Sequence, residues 1–245
     1  MCHIQYGNTK IFYSVKKTNR KKTIALQVRP DLQVVILVPP FLRDEFIRQA
    51  VLKRAPWIIE KKRKLKQIHA GMSKKEFVSG EAFHYLGRQY RLKVVRSDVK
   101  KAALCRLANG RFLVEVVSGL SERAAVDAVR EKLTEWYRER AEVKIRERVR
   151  AYTGVIGKEP KEVLLGNQEK RWGSCSRSGV LRFNWRIIMA PISVMDYVVV
   201  HELCHHIHSN HSPEFWHAVE SVIPDYLGKR NWLKANSTLL FLGLF

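Results

Sequence analysis

The sequence predicts an α+β fold. A β-rich N-terminal region that also carries helices spans 1–118, and a core made of a long helix, a short sheet and a histidine-bearing helix spans 119–245. Three observations predict it. Early segments alternate or run with β-branched residues between turn signals. From Ser121 apolar residues return at three- and four-residue steps over a long stretch. Short strand patterns then give way to two further helical patterns, so the order along the chain reads β, α, β, long α, β, α, α.

The first strands are "TIALQV" and "LQVVILVP", separated by the turn signal "RPD" and ended by Pro39 and Pro40. From Arg43 the pattern turns helical through Phe46, Ile47, Ala50 and Val51, and Pro56 divides it into two helices, the second opening "PWIIEKKRKLK". Two hairpins follow, "AFHYL-GR-QYRLKVV" and "AALCRLA-NG-RFLVEVV"; Asn-Gly is the strongest short-range hairpin signal. Ser121 is the expected N-cap of the long helix, which passes through Val126, Val129, Leu133, Trp136 and Tyr137 and stops near Gly154 and Gly157. "VLLGNQEKRWGSCSRSGVLRFNWRIIMAP" reads as two or three short strands with "SRSG" as a turn. A helix "VMDYVVVHELCHHIH" closes at Ser209–Asn210, and Ser212–Pro213 opens another, "EFWHAVESVI". No internal repeat is legible.

Composition narrows the class. With 46% apolar residues over 245 positions, the chain can bury a substantial core. Its four cysteines lie far apart with no CxxC pair, which argues against a zinc ribbon and a disulfide framework and fits a reducing, cytoplasmic setting. No apolar run reaches the roughly 18 residues of a membrane span. The net charge of +22 is uneven: residues 1–150 hold 35 basic and 15 acidic side chains, residues 151–245 hold 10 and 8. Runs such as "KKTNRKK" and "KKRKLK" are either a solvated face or a surface for sequence-independent nucleic-acid contact.

Five of the nine histidines fall between 201 and 211. His201, Glu202 and His205 form H-E-x-x-H. Residues four apart on a helix share a face, about 5–6 Å apart at Cβ, so two imidazoles can converge on one Zn²⁺ while the glutamate reaches a water beside it. His211 follows after enough chain to turn back and supply a third ligand, leaving a fourth position open for catalysis. His206 points elsewhere, Cys204 reads as a small apolar residue, and His208 shares the metal face without a settled role. In this arrangement Glu202 acts as general base in hydrolysis of a carbonyl compound. Arg171, Arg182 and Tyr226 are candidates to stabilise the oxyanion.

The words "RWGSCS" (171–176), "RFNWRIIMAP" and "DYVVVHELCHHIHSNHSPEFW", together with "PWI" at 56–58, resemble the YgjP-like metallopeptidases, which are similar in turn to the SprT-like proteases. The resemblance implies a minimal zincin core, Zn²⁺ as cofactor, His201, His205 and His211 as ligands, Glu202 as catalytic base and a polypeptide substrate. It also implies that Trp172, Gly173 and Ser174 form a strand edge for an extended substrate, although Trp172 and Trp185 could equally pack beneath the helix. Two other readings stay open: a nucleic-acid-associated protein with a structural metal, and a zinc hydrolase of small amides.

Overall fold

The computed structural model describes residues 2–29, 31–70, 75–98, 104–168 and 171–242; Pro30 of the expected "RPD" turn lies outside them. The chain folds as two units, 1–74 and 75–245. Among the described residues no helix is long and apolar enough to cross a membrane.

In the first unit, β1 (Cys2–Tyr6) and β2 (Thr9–Lys17) precede the two expected strands, β3 (Ala25–Val28) and β4 (Val34–Val38). The sheet order is β1-β2-β4-β3, with β2 and β4 parallel and both outer pairs antiparallel. Helices α1 (Asp44–Lys53) and α2 (Ala55–Ala70) follow, broken at Arg54 just ahead of Pro56. Alternate strand positions and a helical stripe meet in one core, which includes Ile4, Ile11, Ile36, Ile47, Val51 and Ile58.

The second unit opens with both expected hairpins, β5 (Ala82–Tyr85) with β6 (Arg88–Ser97), and β7 (Leu104–Ala108) with β8 (Arg111–Val117). Asn109 and Gly110 have φ of 48° and 68°, the left-handed pair that an Asn-Gly turn adopts. The sheet order is β5-β6-β8-β7 with β6 and β8 parallel. Helix α3 (Glu122–Ile156) is capped by the Ser121 side chain, which accepts from the Ala124 N–H, and ends on Gly157 at φ 76°.

The two units share one plan that the sequence concealed. Each opens with two hairpins whose second strands pair in parallel, followed by a helical segment. Buried positions correspond at a separation of 79 or 78 residues: Ile4 with Phe83, Tyr13 with Leu92, Ile36 with Val114, Val51 with Val129, Ile58 with Trp136. The residues differ while the pattern of burial is retained, so the chain holds an internal ββββα repeat.

That plan also corrects the expected boundary at 118/119. Phe112 of β8 lies 5.0 Å edge-on from Trp136 and 5.6 Å from Tyr137 of α3, so the hairpins of 82–117 share a core with the long helix. The division falls at 74/75 instead. The contrast in charge follows solvent-facing side chains, whereas packing follows the buried ones.

After α3 come β9 (Glu162–Gly166), β10 (Gly173–Cys175) and β11 (Val180–Asn184), in the order β10-β11-β9, so β10 is an edge. A 3₁₀ turn (Trp185–Met189) leads into α4 (Ile192–Cys204), α5 (Pro213–Val222) and α6 (Tyr226–Leu242). The α6 helix did not show in the sequence pattern. Fully buried Asn184 joins these parts: its side chain donates to the Gln168 carbonyl and accepts from the Arg186 N–H.

Candidate metal centre

Three consecutive valines favour strand by propensity, yet Val198–Val200 are helical because α4 is buried nearly all round, from Val194 to Val200. The helix ends at Cys204, earlier than expected, with His205 at its C-cap. The chain can therefore turn at once and bring His211 back over the preceding turn.

His201, His205 and His211 come together, with one ligand atom from each lying within 4.8 Å of the others. The Nε2 atoms of His201 and His211 are 3.1 Å apart. Nδ1 of His205 lies 3.0 Å from the His208 carbonyl. A carbonyl only accepts, so Nδ1 carries the proton and Nε2 presents its lone pair. Phe215 of α5 forms the floor. It stacks on His205 at 4.6 Å and meets the edges of His201 and His211 at 4.9 and 4.8 Å. Trp216 stacks on His211 at 5.5 Å. Nothing in the residue pattern marks these orienting contacts beyond the helix opened by "SPEFW".

Electrostatics agree with a metal-ligating role. Burial, then the neighbouring His205, His211 and Arg230, push His201 down to about 3, so its ring stays neutral. Partial burial and His205 lower His211 as well. Three imidazoles that converge in this way are a donor set for a borderline divalent ion such as zinc, and among the described residues no fourth protein ligand joins them. Neither Cys204 nor the His208 ring is among the grouped ligand atoms. Cys204 is buried in the core, its thiol pushed up to about 11 by burial, and the His208 charge is felt by Glu214.

Glu202 is 5% exposed, and burial raises its carboxyl to about 8 against the opposing pull of Arg171 and the Cys175 backbone N–H. Its Oε2 is buried with no partner among the described residues. Gly173 makes room for it: a Cβ there would fall 2.5 Å from Glu202 Oε1 and Cγ.

The residues expected at the strand edge have separate surroundings. Trp172 donates from Nε1 to Ser237 Oγ at 3.1 Å and stacks on Phe241 at 4.5 Å, so α6 takes its ring. The Asn184 N–H donates to the Trp172 carbonyl and the Ser176 N–H to the Val180 carbonyl. Antiparallel pairing alternates, so the peptide groups of Trp172, Ser174 and Ser176 face β11 while those of Gly173 and Cys175 face outward.

Of the oxyanion candidates, the Arg171 charge acts on Glu202. Arg182 stands across from Ser174 on β11. Tyr226 stacks on Trp216 at 5.3 Å. Two residues not singled out by sequence stand nearer the imidazoles. Tyr197, one turn before His201, has its ring 5.8 Å from that histidine, and Arg230 lies 4.8 Å over Trp216 with its charge felt by His201, His211 and Tyr197.

Neither the curated proteins nor the solved structures contain a match to the chain. The family model described as YgjP-like, metallopeptidase domain, matches residues 22–236, a span that holds every residue of the histidine centre. A metal-dependent hydrolase of the peptidase kind is thereby indicated, and the chain belongs to the YgjP-like metallopeptidase domain family.

Proposed function

We propose that this protein is a zinc-dependent peptidase in which His201, His205 and His211 hold the ion and Glu202 is the general base. The observation that carries the reading is Glu202 itself, a buried carboxyl with an oxygen that has no partner among the described residues, beside three convergent imidazoles. A purely structural site would be closed by four protein ligands and would have no use for such a group.

Zinc bound there would supply Lewis acidity, bringing the pKa of water from about 15.7 toward about 7. Glu202 takes the proton of the attacking water and returns it to the leaving nitrogen. Its desolvated carboxylate is a stronger base than one in water, since burial disfavours the charged form. The Tyr197 ring lies against His201, and the Arg230 guanidinium sits over Trp216 with its charge felt by His201 and His211, so a hydroxyl or guanidinium donor from this side can stabilise the oxyanion as it forms. The outward peptide groups of Gly173 and Cys175 pair with an extended substrate as an added strand, the Cys175 N–H excepted because it points at Glu202. The substrate-binding part therefore rests on the backbone of Gly173 rather than on the Trp172 ring or the Ser174 peptide.

The test is metal analysis of the protein and its Glu202→Gln variant beside turnover of a quenched fluorescent, unfolded polypeptide. The variant should keep about one zinc per chain and lose on the order of 10²- to 10⁴-fold in turnover. Undiminished activity would overturn the reading. Cleavage of single amides as fast as of long peptides would favour the small-amide hydrolase.

A further inference from the structure

The first unit repeats the plan of the second without its chemistry, and one groove in it has diverged in a definite direction. The groove runs between the edge strand β3 and the junction of α1 and α2, with a volume of about 390 Å³, and is lined by Ala25, Leu26, Ala50, Lys53, Arg54 and Trp57 among others. Trp57 is 44% exposed, unusual for an indole with no partner ring among the described residues. At the corresponding positions of α3, Lys53 and Trp57 are replaced by Glu131 and Glu135, and Lys132 is paired with Glu135 at 2.7 Å. Lys53 and Arg54 have no carboxylate within ion-pair distance among the described residues.

Among the described residues the strand edge beside this groove is unpaired. The Arg29 N–H donates to the Gln33 carbonyl, one step beyond the Val28–Val34 pair. By alternation the peptide groups of Gln27 and Ala25 also face β4, which leaves those of Leu26 and Val28 pointing off the sheet. Natural edges are usually blunted by charge or proline within the strand, but β3 reads Ala-Leu-Gln-Val.

We propose that this groove is an exosite that captures an extended, acidic segment of a polypeptide substrate by strand addition to β3. The edge supplies directional N–H and C=O groups for a peptide backbone. The indole and the small side chains of the groove take apolar residues on one side of the added strand. Lys53 and Arg54 complement carboxylates, in a unit that carries 17 basic against 4 acidic side chains over residues 1–74. The proposal rests on the peptidase reading only for the polypeptide class of its ligand. Capture in the same chain as the metal centre raises the effective concentration of substrate, so it acts on KM for long substrates.

The test uses the full chain carrying Glu202→Gln, so that binding is read without turnover, and a fluorescein-labelled octapeptide Val-Thr-Glu-Thr-Val-Thr-Glu-Thr, which sets its valines and glutamates on one face of an extended strand. Saturable binding is expected, weakened at least about 10-fold by Trp57→Ala and by Lys53→Gln/Arg54→Gln with unchanged thermal melts. Methylating alternate backbone nitrogens of the peptide, or replacing its glutamates by lysine, should weaken binding to a similar degree. Equal binding by the variants, no binding at millimolar peptide, or efficient displacement by a 20-residue single-stranded oligonucleotide would overturn the proposal; the last would mark the basic unit as a nucleic-acid surface instead. None of these readouts depends on whether the metal centre turns over.

Discussion

Gly173 and Glu202 are fitted to each other: the Glu202 carboxylate occupies the space that any side chain at 173 would take, 2.5 Å from the position of its Cβ. The edge strand and the H-E-x-x-H helix can approach this closely only with glycine in the strand. Gly173→Ala should move the glutamate while leaving the three imidazoles in place. The expected outcome is zinc retained and turnover reduced at least about 10²-fold, the lower range for loss of a positioned general base. Turnover within twofold of the parent would show that the position of Glu202 is not critical.

Glu202 and His201 also make the metal-free chain respond to pH in opposite senses. The Glu202 carboxyl is raised from its ordinary value to about 8, so its contribution to stability is full below the unfolded value of 4.5 and is lost as pH rises through 8. His201 is depressed from 6.5 to about 3, so its contribution is present above 6.5 and lost as pH falls toward 3. Between 4.5 and 6.5 the two slopes offset each other, and from 6.5 to 8 only the Glu202 loss remains. Thermal melts of chelator-treated protein should therefore fall over pH 6.5–8, and Glu202→Gln should flatten that fall. An identical fall in both proteins would contradict a buried, protonated Glu202.

How legible the site was depended on whether its geometry is local. His201 and His205 are placed by helix periodicity alone, and a helix ending at the second histidine lets a short loop return His211. Phe215, Trp216, Tyr197 and Arg230 converge on the imidazoles through the packing of α4, α5 and α6, a tertiary relation that no spacing encodes. Trp172 illustrates the opposite hazard. It sits beside β10 in sequence, yet its ring belongs to α6. The repeat escaped notice because Ile58 and Trp136, or Ile4 and Phe83, do the same work with unlike shapes, and because the second hairpins differ by one residue in loop length.

The long helix also anchors the metal helix by a bidentate pair. Arg148 donates from Nε and Nη2 to the two carboxylate oxygens of Asp196, at 2.6 and 3.1 Å. Both side chains are mostly buried, at 24% and 11% exposure. Removing one partner strands the other charge, which costs about 3–5 kcal/mol. Asp196→Ala should lower the melting temperature by about 10 °C, taking the 2–4 °C per kcal/mol of a unit this size. Replacing both residues by leucine or methionine should recover much of that loss, because the desolvation cost of the pair disappears with it. No recovery in the double variant would mean that the pair orients α4 in a way apolar packing cannot replace.

Trp172 separates substrate contact from structure. Its indole is hydrogen-bonded to Ser237 and stacked on Phe241, and it packs against the main core. Truncation to alanine removes a partly buried indole and should cost less than the about 3–5 kcal/mol of a fully buried one. If the ring only joins α6 to the strand, the KM for an unfolded polypeptide should change less than twofold when measured well below the variant's melting temperature. Trp172→Phe should restore most of the stability, since it keeps the stacking on Phe241 and gives up one hydrogen bond of about 1 kcal/mol. A KM raised severalfold in Trp172→Phe with its melt near the parent's would instead place the indole in contact with substrate. The strand edge would then bind through a side chain as well as through the Gly173 backbone.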